Sequence, residues 1–217
     1  MDHLHQQNTV QMALHPAAAR LESVTQQRLN DEIYFCRLGI PYEPESLLKV
    51  LRERKPKTAV PAACHGLANL GAKEAIPELR ALADFSHADT KATSVLAIAR
   101  LGGSQATPWL MECLSQKGTD KGYVLWALAA VGDPSAYEAV RQWFTPILKK
   151  LEKDPGSDKR GKSIFAIAYL EQVTDAHPDA STLLERFHAV VPSLGPSIRT
   201  QLAQFTRSYA RSTTNQT

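Results

Sequence analysis

Several features that would fix a common protein class are scarce or missing here. β-Branched runs are rare, so no sheet is expected. No apolar run approaches the roughly 20 residues needed to span a bilayer. The opening Met1-Asp2-His3-Leu4-His5-Gln6-Gln7 has neither a basic n-region nor an apolar h-region, so no secretory leader is expected and the expected compartment is the cytoplasm. Cysteine numbers only three, an odd count that argues against a disulfide framework. Cys36, Cys64 and Cys113 each fall on the apolar side of an expected helix and read as buried thiols in a reducing compartment. Charge of one sign is also missing: 25 Lys and Arg against 22 Asp and Glu leave a net +3, which demands no anionic partner. There is no nucleophile elbow, no metal-ligand cluster and no carboxylate pair that spacing brings together. His3, His5 and His15 lack the thiols or carboxylates that would make them a metal site. No enzyme activity, cofactor or metal is therefore expected.

What is present is a repeat. Leu38-Gly39, Leu70-Gly71, Leu101-Gly102 and Val131-Gly132 follow one another at intervals of 32, 31 and 30 residues. The stretch Leu70-Gly-Ala-Lys-Glu-Ala-Ile-Pro-Glu-Leu79 aligns without a gap on Leu101 to Leu110 and again on Val131 to Val140. A fixed period near thirty marks a solenoid, whose units bury their apolar faces only against their neighbours. Before each glycine runs a helical apolar pattern: Ala63, Cys64, Leu67, Ala68; Val95, Leu96, Ile98, Ala99; Val124, Leu125, Leu128, Ala129. Gly39, Gly71, Gly102 and Gly132 are expected at left-handed helix ends, a conformation without steric cost only for glycine. Pro77 and Pro108 then fall in the first turn of a second helix, where a missing N–H is harmless. That helix carries Ile76, Leu79, Leu82; Thr107, Leu110, Cys113; and Tyr137, Val140, Trp143 on one face.

The stretch Ala68-Asn-Leu-Gly-Ala-Lys-Glu-Ala-Ile-Pro-Glu-Leu79 and its two copies resemble the HEAT-like repeat family, in the short bacterial variant also found in phycobilisome-lyase proteins. The resemblance covers about residues 31–145. It implies an all-α, right-handed solenoid of about five helix pairs with capping helices at both ends, and a binding scaffold in place of an enzyme. Function in such a fold lives in sites placed on it. The chain divides into a flexible tail over 1–15, one solenoid domain over 16–210 and a polar tail over 211–217.

Outside the best repeats the pattern loosens. Pro16 opens a helix expected to reach about Leu38, with Leu21, Val24, Ile33 and Cys36 on its buried side. Residues 44–53 supply its partner. Lys49, Arg52, Arg54, Lys55 and Lys57 form a basic run that reads as a solvated loop. After Phe144, Pro146 is expected to kink or end the helix, and Leu148 to Lys153 can continue it. The charged loop that follows places Gly156, Gly161, Lys162 and Ser163 at phosphate-loop spacing, but a true phosphate loop follows a buried strand, and the segment before this one is helical. Ile164, Phe165, Ile167, Ala168 and Leu170 restart the first-helix pattern with Glu171 in place of the glycine, and Leu183, Leu184, Phe187 and Val190 follow. Ile198, Leu202, Phe205 and Tyr209 mark a last amphipathic helix.

Alignment of the repeats exposes the residues that break the pattern. Glu78, Trp109 and Ala139 share one second-helix position, and Arg80, Met111 and Arg141 share another; both rows fall off the apolar face. Trp is the residue type most enriched in binding hot spots. Glu74, Glu78, Asp84, Glu112 and Glu138 would give an acidic inner surface flanked by Arg80 and Arg141, suited to a basic protein partner. First-turn carboxylates such as Glu74 and Glu138 also complement the helix dipole. The proposed partner-binding set is thus Glu78, Arg80, Asp84, Trp109, Met111, Glu112, Glu138 and Arg141. Trp126 shares a column with His65, Leu96 and Phe165 that reads as a core ladder, and Trp143 aligns with core Leu82. Small stand-alone proteins that resemble HEAT-like repeats include immunity proteins that neutralise a toxin or effector. The resemblance also extends to alkylpurine DNA glycosylases, for which the cations at 49–57 and 149–162 with Arg199, Arg207 and Arg211 would contact phosphates. A third implied role is that of a phycobilin lyase or chaperone.

Overall fold

A helical hairpin needs a residue that can take a positive φ at its corner, and glycine supplies it here. Gly39, Gly71 and Gly132 have φ of 67°, 70° and 68°. The third corner differs from expectation. Gly102 has φ −90° and ends its helix, whereas Gly103 carries φ 52°. The double glycine lets that helix run one residue further before it turns.

The computed structural model describes residues 28–83, 88–117, 120–158 and 161–203. Among them there is no strand. Helix α1 covers 28–37, and α2 Pro44–Glu53, α3 Ala59–Asn69, α4 Ile76–Ala83, α5 Ala88–Gly102 and α6 Thr107–Ser115 follow. Then come α7 Lys121–Val131, α8 Tyr137–Lys153, α9 Lys162–Gln172, α10 Ala180–Val190 and α11 over 196–203. Short 3₁₀ turns at Lys73–Ala75, Gly103–Ala106 and Pro134–Ala136 lead into the second helices. The described chain is an all-α solenoid of five helix pairs. The tails over 1–15 and beyond 210, and the start of the helix expected from Pro16, lie outside the described residues.

The first helices α3, α5, α7 and α9 pack on one another in chain order. Leu67, Ile98, Leu128 and Ile167 occupy one equivalent position in them and are at most 1% exposed. Burying each such side chain stabilises the fold by about 1.5–3 kcal/mol. One residue earlier sit Gly66, Ala97, Ala127 and Ala166, all buried, and small enough for close approach. A Cβ on Gly66 would lie 2.9 Å from Leu47 Cδ1. Second helices form the other layer, with α2 against α4, α6 against α8 and α8 against α10.

This arrangement gives two edges. The turns within repeats lie along one. There the Tyr169 hydroxyl donates to the Asp133 carbonyl at 2.7 Å, and the Tyr137 hydroxyl donates to Asp179 Oδ2 at 2.7 Å. The His177 ring stacks on Tyr137 with centroids 4.2 Å apart, and its Nε2 lies 3.0 Å from the Pro134 carbonyl oxygen. The longer turn after α9, which has Glu171 where other repeats have glycine, is thus tied to the preceding turn. Junctions between repeats lie along the opposite edge, where Lys162 Nζ meets Asp120 Oδ1 at 2.9 Å.

Several side chains differ from expectation. Ile33 is 43% exposed and Cys36 is exposed; Phe35, at 0%, is the residue α1 buries. The two sets lie on opposite sides of the helix, and the solenoid covers only one. Trp143 is half-buried, and the next residue, Phe144, fills the core at 0% exposure. The Trp126 column is not a core ladder. Trp126 is 38% exposed, His65, Leu96 and Phe165 are half-buried, and the column marks the outer margin of the first-helix layer. The Trp126 ring stacks on Phe165 at 5.7 Å. Pro146 does not end α8, which continues because Leu148 and Leu151, both at 0% exposure, anchor its last turns.

Candidate partner-binding surface

The candidate residues sit on three consecutive second helices. Glu78 and Arg80 belong to α4, Trp109, Met111 and Glu112 to α6, and Glu138 and Arg141 to α8. Asp84 lies outside the described residues. Helix α4 is short and its first turn is acidic, which places Glu78 beside the end of α2. Arg52, in the last turn of α2, donates to Glu78 Oε1 through Nε at 2.9 Å and through Nη2 at 2.5 Å. On α6, Pro108 starts the helix and brings Trp109 onto its first turn. The Arg80 guanidinium lies over the Trp109 ring, 5.6 Å from its centroid, a cation–π contact between neighbouring repeats. Trp109 and Met111 are both half-buried and pack against the core. Glu112 accepts a 3.3 Å hydrogen bond from Gln116 Nε2.

On α8 the pairing is within one helix. Arg141 donates to Glu138 through Nε and Nη2, both at 2.7 Å, and Gln142 Nε2 adds a third bond at 2.8 Å. These hydrogen bonds, the Arg141 pair foremost, hold the Glu138 carboxyl down at about 2. The pair is fully solvated, so its weight in stability is small.

The structure thus corrects the expected acidic surface. Glu78 and Glu138 each hold an arginine, so the row alternates in sign across the solenoid. The second-helix layer carries these paired charges on α4 and α8, with Trp109 on α6 between them. Sequence reasoning missed Arg52, because the run from Lys49 to Lys57 reads as a loop while Arg52 is the last helical turn facing α4. The Arg80–Trp109 contact was legible only as two neighbouring rows of the repeat alignment.

The other sequence signals resolve simply. Asp158 accepts from the backbone N–H groups of Lys162 at 3.1 Å and Ser163 at 2.9 Å. The N-terminus of α9 therefore already holds a carboxylate, and it follows helix α8, not a strand. His65 Nδ1 lies 2.9 Å from Asp31 Oδ2, and Asn69 Nδ2 donates to the same oxygen at 3.0 Å, so His65 ties α1 to α3. Among the described residues no group of three or more His, Cys, Asp or Glu is placed to hold a metal ion, and no helix is long and apolar enough to cross a membrane.

No curated protein and no solved structure matches the chain. The family model described as HEAT repeats matches residues 44–122, from the start of α2 into α7. The same helix-pair geometry continues to Val190. Over residues 44–122 the chain is similar to HEAT repeats, a repeat type that suggests a protein-interaction scaffold.

Proposed function

We propose that the protein is a non-enzymatic scaffold whose second-helix layer binds one protein partner around Trp109. The observation that carries this reading is the placement of Trp109. It is a large aromatic ring, half-buried off the apolar face, covered on one side by Arg80 and flanked along the layer by the Arg52–Glu78 and Arg141–Glu138 pairs. A fixed aromatic anchor inside a rim of oriented charges is the pattern of a binding hot spot, since little side-chain entropy remains to be lost on association. In its sharpest form the partner is a bacterial toxin or effector domain that the scaffold neutralises. That form rests on analogy with small stand-alone HEAT-like proteins that inhibit toxins, and the paired charges beside Trp109 suit a partner that itself carries both signs.

The test is a saturable 1:1 complex measured by calorimetry. Trp109→Ala combined with Glu78→Lys weakens it by about 30-fold or more, corresponding to a hot-spot loss of about 2 kcal/mol. Unchanged affinity in the double variant removes this surface from the account.

A further inference from the structure

The solenoid's two edges carry opposite charge. The turns within repeats, residues 38–45, 70–78, 101–108, 131–138 and 171–181, hold one lysine against nine Asp and Glu. The described junctions between repeats, residues 52–58, 88–89, 115–117, 120–121, 149–158 and 161–163, hold ten Lys and Arg against six Asp and Glu. The repeat topology turns this alternation along the chain into two separate surfaces.

The free charge on the junction edge is more positive than the formal count. Five of its six described acids are engaged internally, and the sixth, Asp89 in the first turn of α5, is exposed. Asp120 pairs with Lys162, Glu152 with Arg186, and Glu53 lies 3.9 Å from Lys49. Asp154 and Asp158 accept backbone N–H groups. In contrast, Lys55, Lys57, Lys117, Lys150 and Lys153 are exposed and make no ion pair among the described residues. They come from three junctions. With adjacent helices about 8–10 Å apart, the outer two of these junctions are about 25–30 Å from one another.

We propose that this edge is a second docking surface, separate from Trp109, for an acidic segment of a partner protein. An extended run of about eight or nine residues covers the distance at about 3.3 Å per residue. The cations favour carboxylates of a polypeptide over nucleic acid. The junctions at 52–58, 115–121 and 149–163 hold no aromatic side chain on which a base could stack. Among the described residues, the cations there that make no ion pair and no other polar contact are lysines, which act as point charges without the fork that grips a phosphate or a base edge. The acidic opposite edge repels a long polyanion but leaves a short segment on the basic edge unaffected.

The experiment uses the full chain and a fluorescent peptide of about ten residues alternating Glu and Gly. Anisotropy is read from about 50 mM to about 300 mM salt, with a duplex DNA of about 20 base pairs as competitor. Saturable peptide binding is expected at low salt and weakens at least tenfold across the series. It also weakens at least tenfold in the variant Lys55→Glu, Lys57→Glu, Lys150→Glu, Lys153→Glu, whose far-UV circular dichroism matches the wild type because all four side chains are solvated. No saturable binding at low salt, or equal binding by the variant, overturns the proposal. So does a tighter grip on the duplex than on the peptide, which would make the edge a nucleic-acid surface. Trp109 takes no part in this readout, so failure here and failure of the second-helix surface are separate results.

Discussion

Substituting alanine at the corner glycines tests the repeat geometry position by position. At Gly71, with φ 70°, an added Cβ meets nothing within 4 Å, so the cost is the left-handed backbone alone. That cost is about 1–2 kcal/mol for a residue with a side chain, partly offset by the alanine's smaller unfolded-state entropy, leaving about 1 kcal/mol. Gly103, with φ 52° and equally open space, should lose the same amount. Gly132 has φ 68° and a neighbour: its Cβ would lie 2.8 Å from Gln172 Oε1. Gln172 Nε2 donates to the Ala129 and Ala168 carbonyls at 2.7 and 3.0 Å, tying α9 to α7. Displacing that amide adds about 0.5–1.5 kcal/mol for each of the two hydrogen bonds, so Gly132→Ala should cost about 2–4 kcal/mol. Gly102 is the control. Its φ is helical, so alanine gains about 0.5–1 kcal/mol of helix preference against a 3.1 Å approach to Ala106 Cβ, and the net effect is near zero. The assay is urea denaturation followed by far-UV circular dichroism. If Gly102→Ala cost as much as Gly71→Ala while Gly103→Ala were harmless, the corner would lie at 102 and the backbone account would be wrong.

Glu138 should titrate with a midpoint of about 2 by carboxyl NMR, and Arg141→Ala should raise it towards the ordinary glutamate range, with the Gln142 hydrogen bond still holding it somewhat below. Because its folded pKa is depressed, whatever this pair contributes is fully present above the ordinary glutamate range and is lost only as pH falls towards about 2; a midpoint near 4 in the wild type would show that the bidentate pair does not form in solution. Thiol titration of the native protein near pH 8 should find one fast group, Cys36, since Cys64 is buried and pushed up to about 12 by that burial, and Cys113 is buried too; two fast thiols would contradict the packing of α3 or α6. Leu128→Ala should cost about 2–5 kcal/mol as a fully enclosed cavity. Trp126→Ala, at the outer margin and stacked on Phe165, should cost less, with the stack itself worth about 0.5–1.5 kcal/mol; a reversed order would restore Trp126 to the core.

The helix pairs were legible because their signals are local and repeated. Ala68 to Leu79 and its copies place an apolar stripe, a corner glycine and a first-turn proline at fixed offsets, and each has its own physical cause. The errors arose where two residues satisfied one local rule equally. Gly102 and Gly103 both suit a left-handed corner, and only the packed length of α5 decides between them. Ile33 and Phe35 are both apolar, and only the neighbour that α1 meets decides which is buried. Trp126 sits in a helical apolar pattern, yet the column lies at the margin of the layer, where burial depends on the adjoining repeat. The candidate surface was half legible. Its rows came from alignment alone, whereas the pairing of Glu78 with Arg52, 26 positions earlier, needs the stacking of α2 on α4. An acidic surface inferred from a count of carboxylates became an alternating one once their partners were placed.

The central claim is that one partner is gripped around Trp109. It is tested most directly by passing native-host lysate over immobilised wild type and over the Trp109→Ala, Glu78→Lys variant, with retained proteins quantified by mass spectrometry. The account predicts one protein held by the wild type at a saturating 1:1 ratio and largely lost from the variant. Retention of the same proteins at the same levels on both surfaces would contradict it.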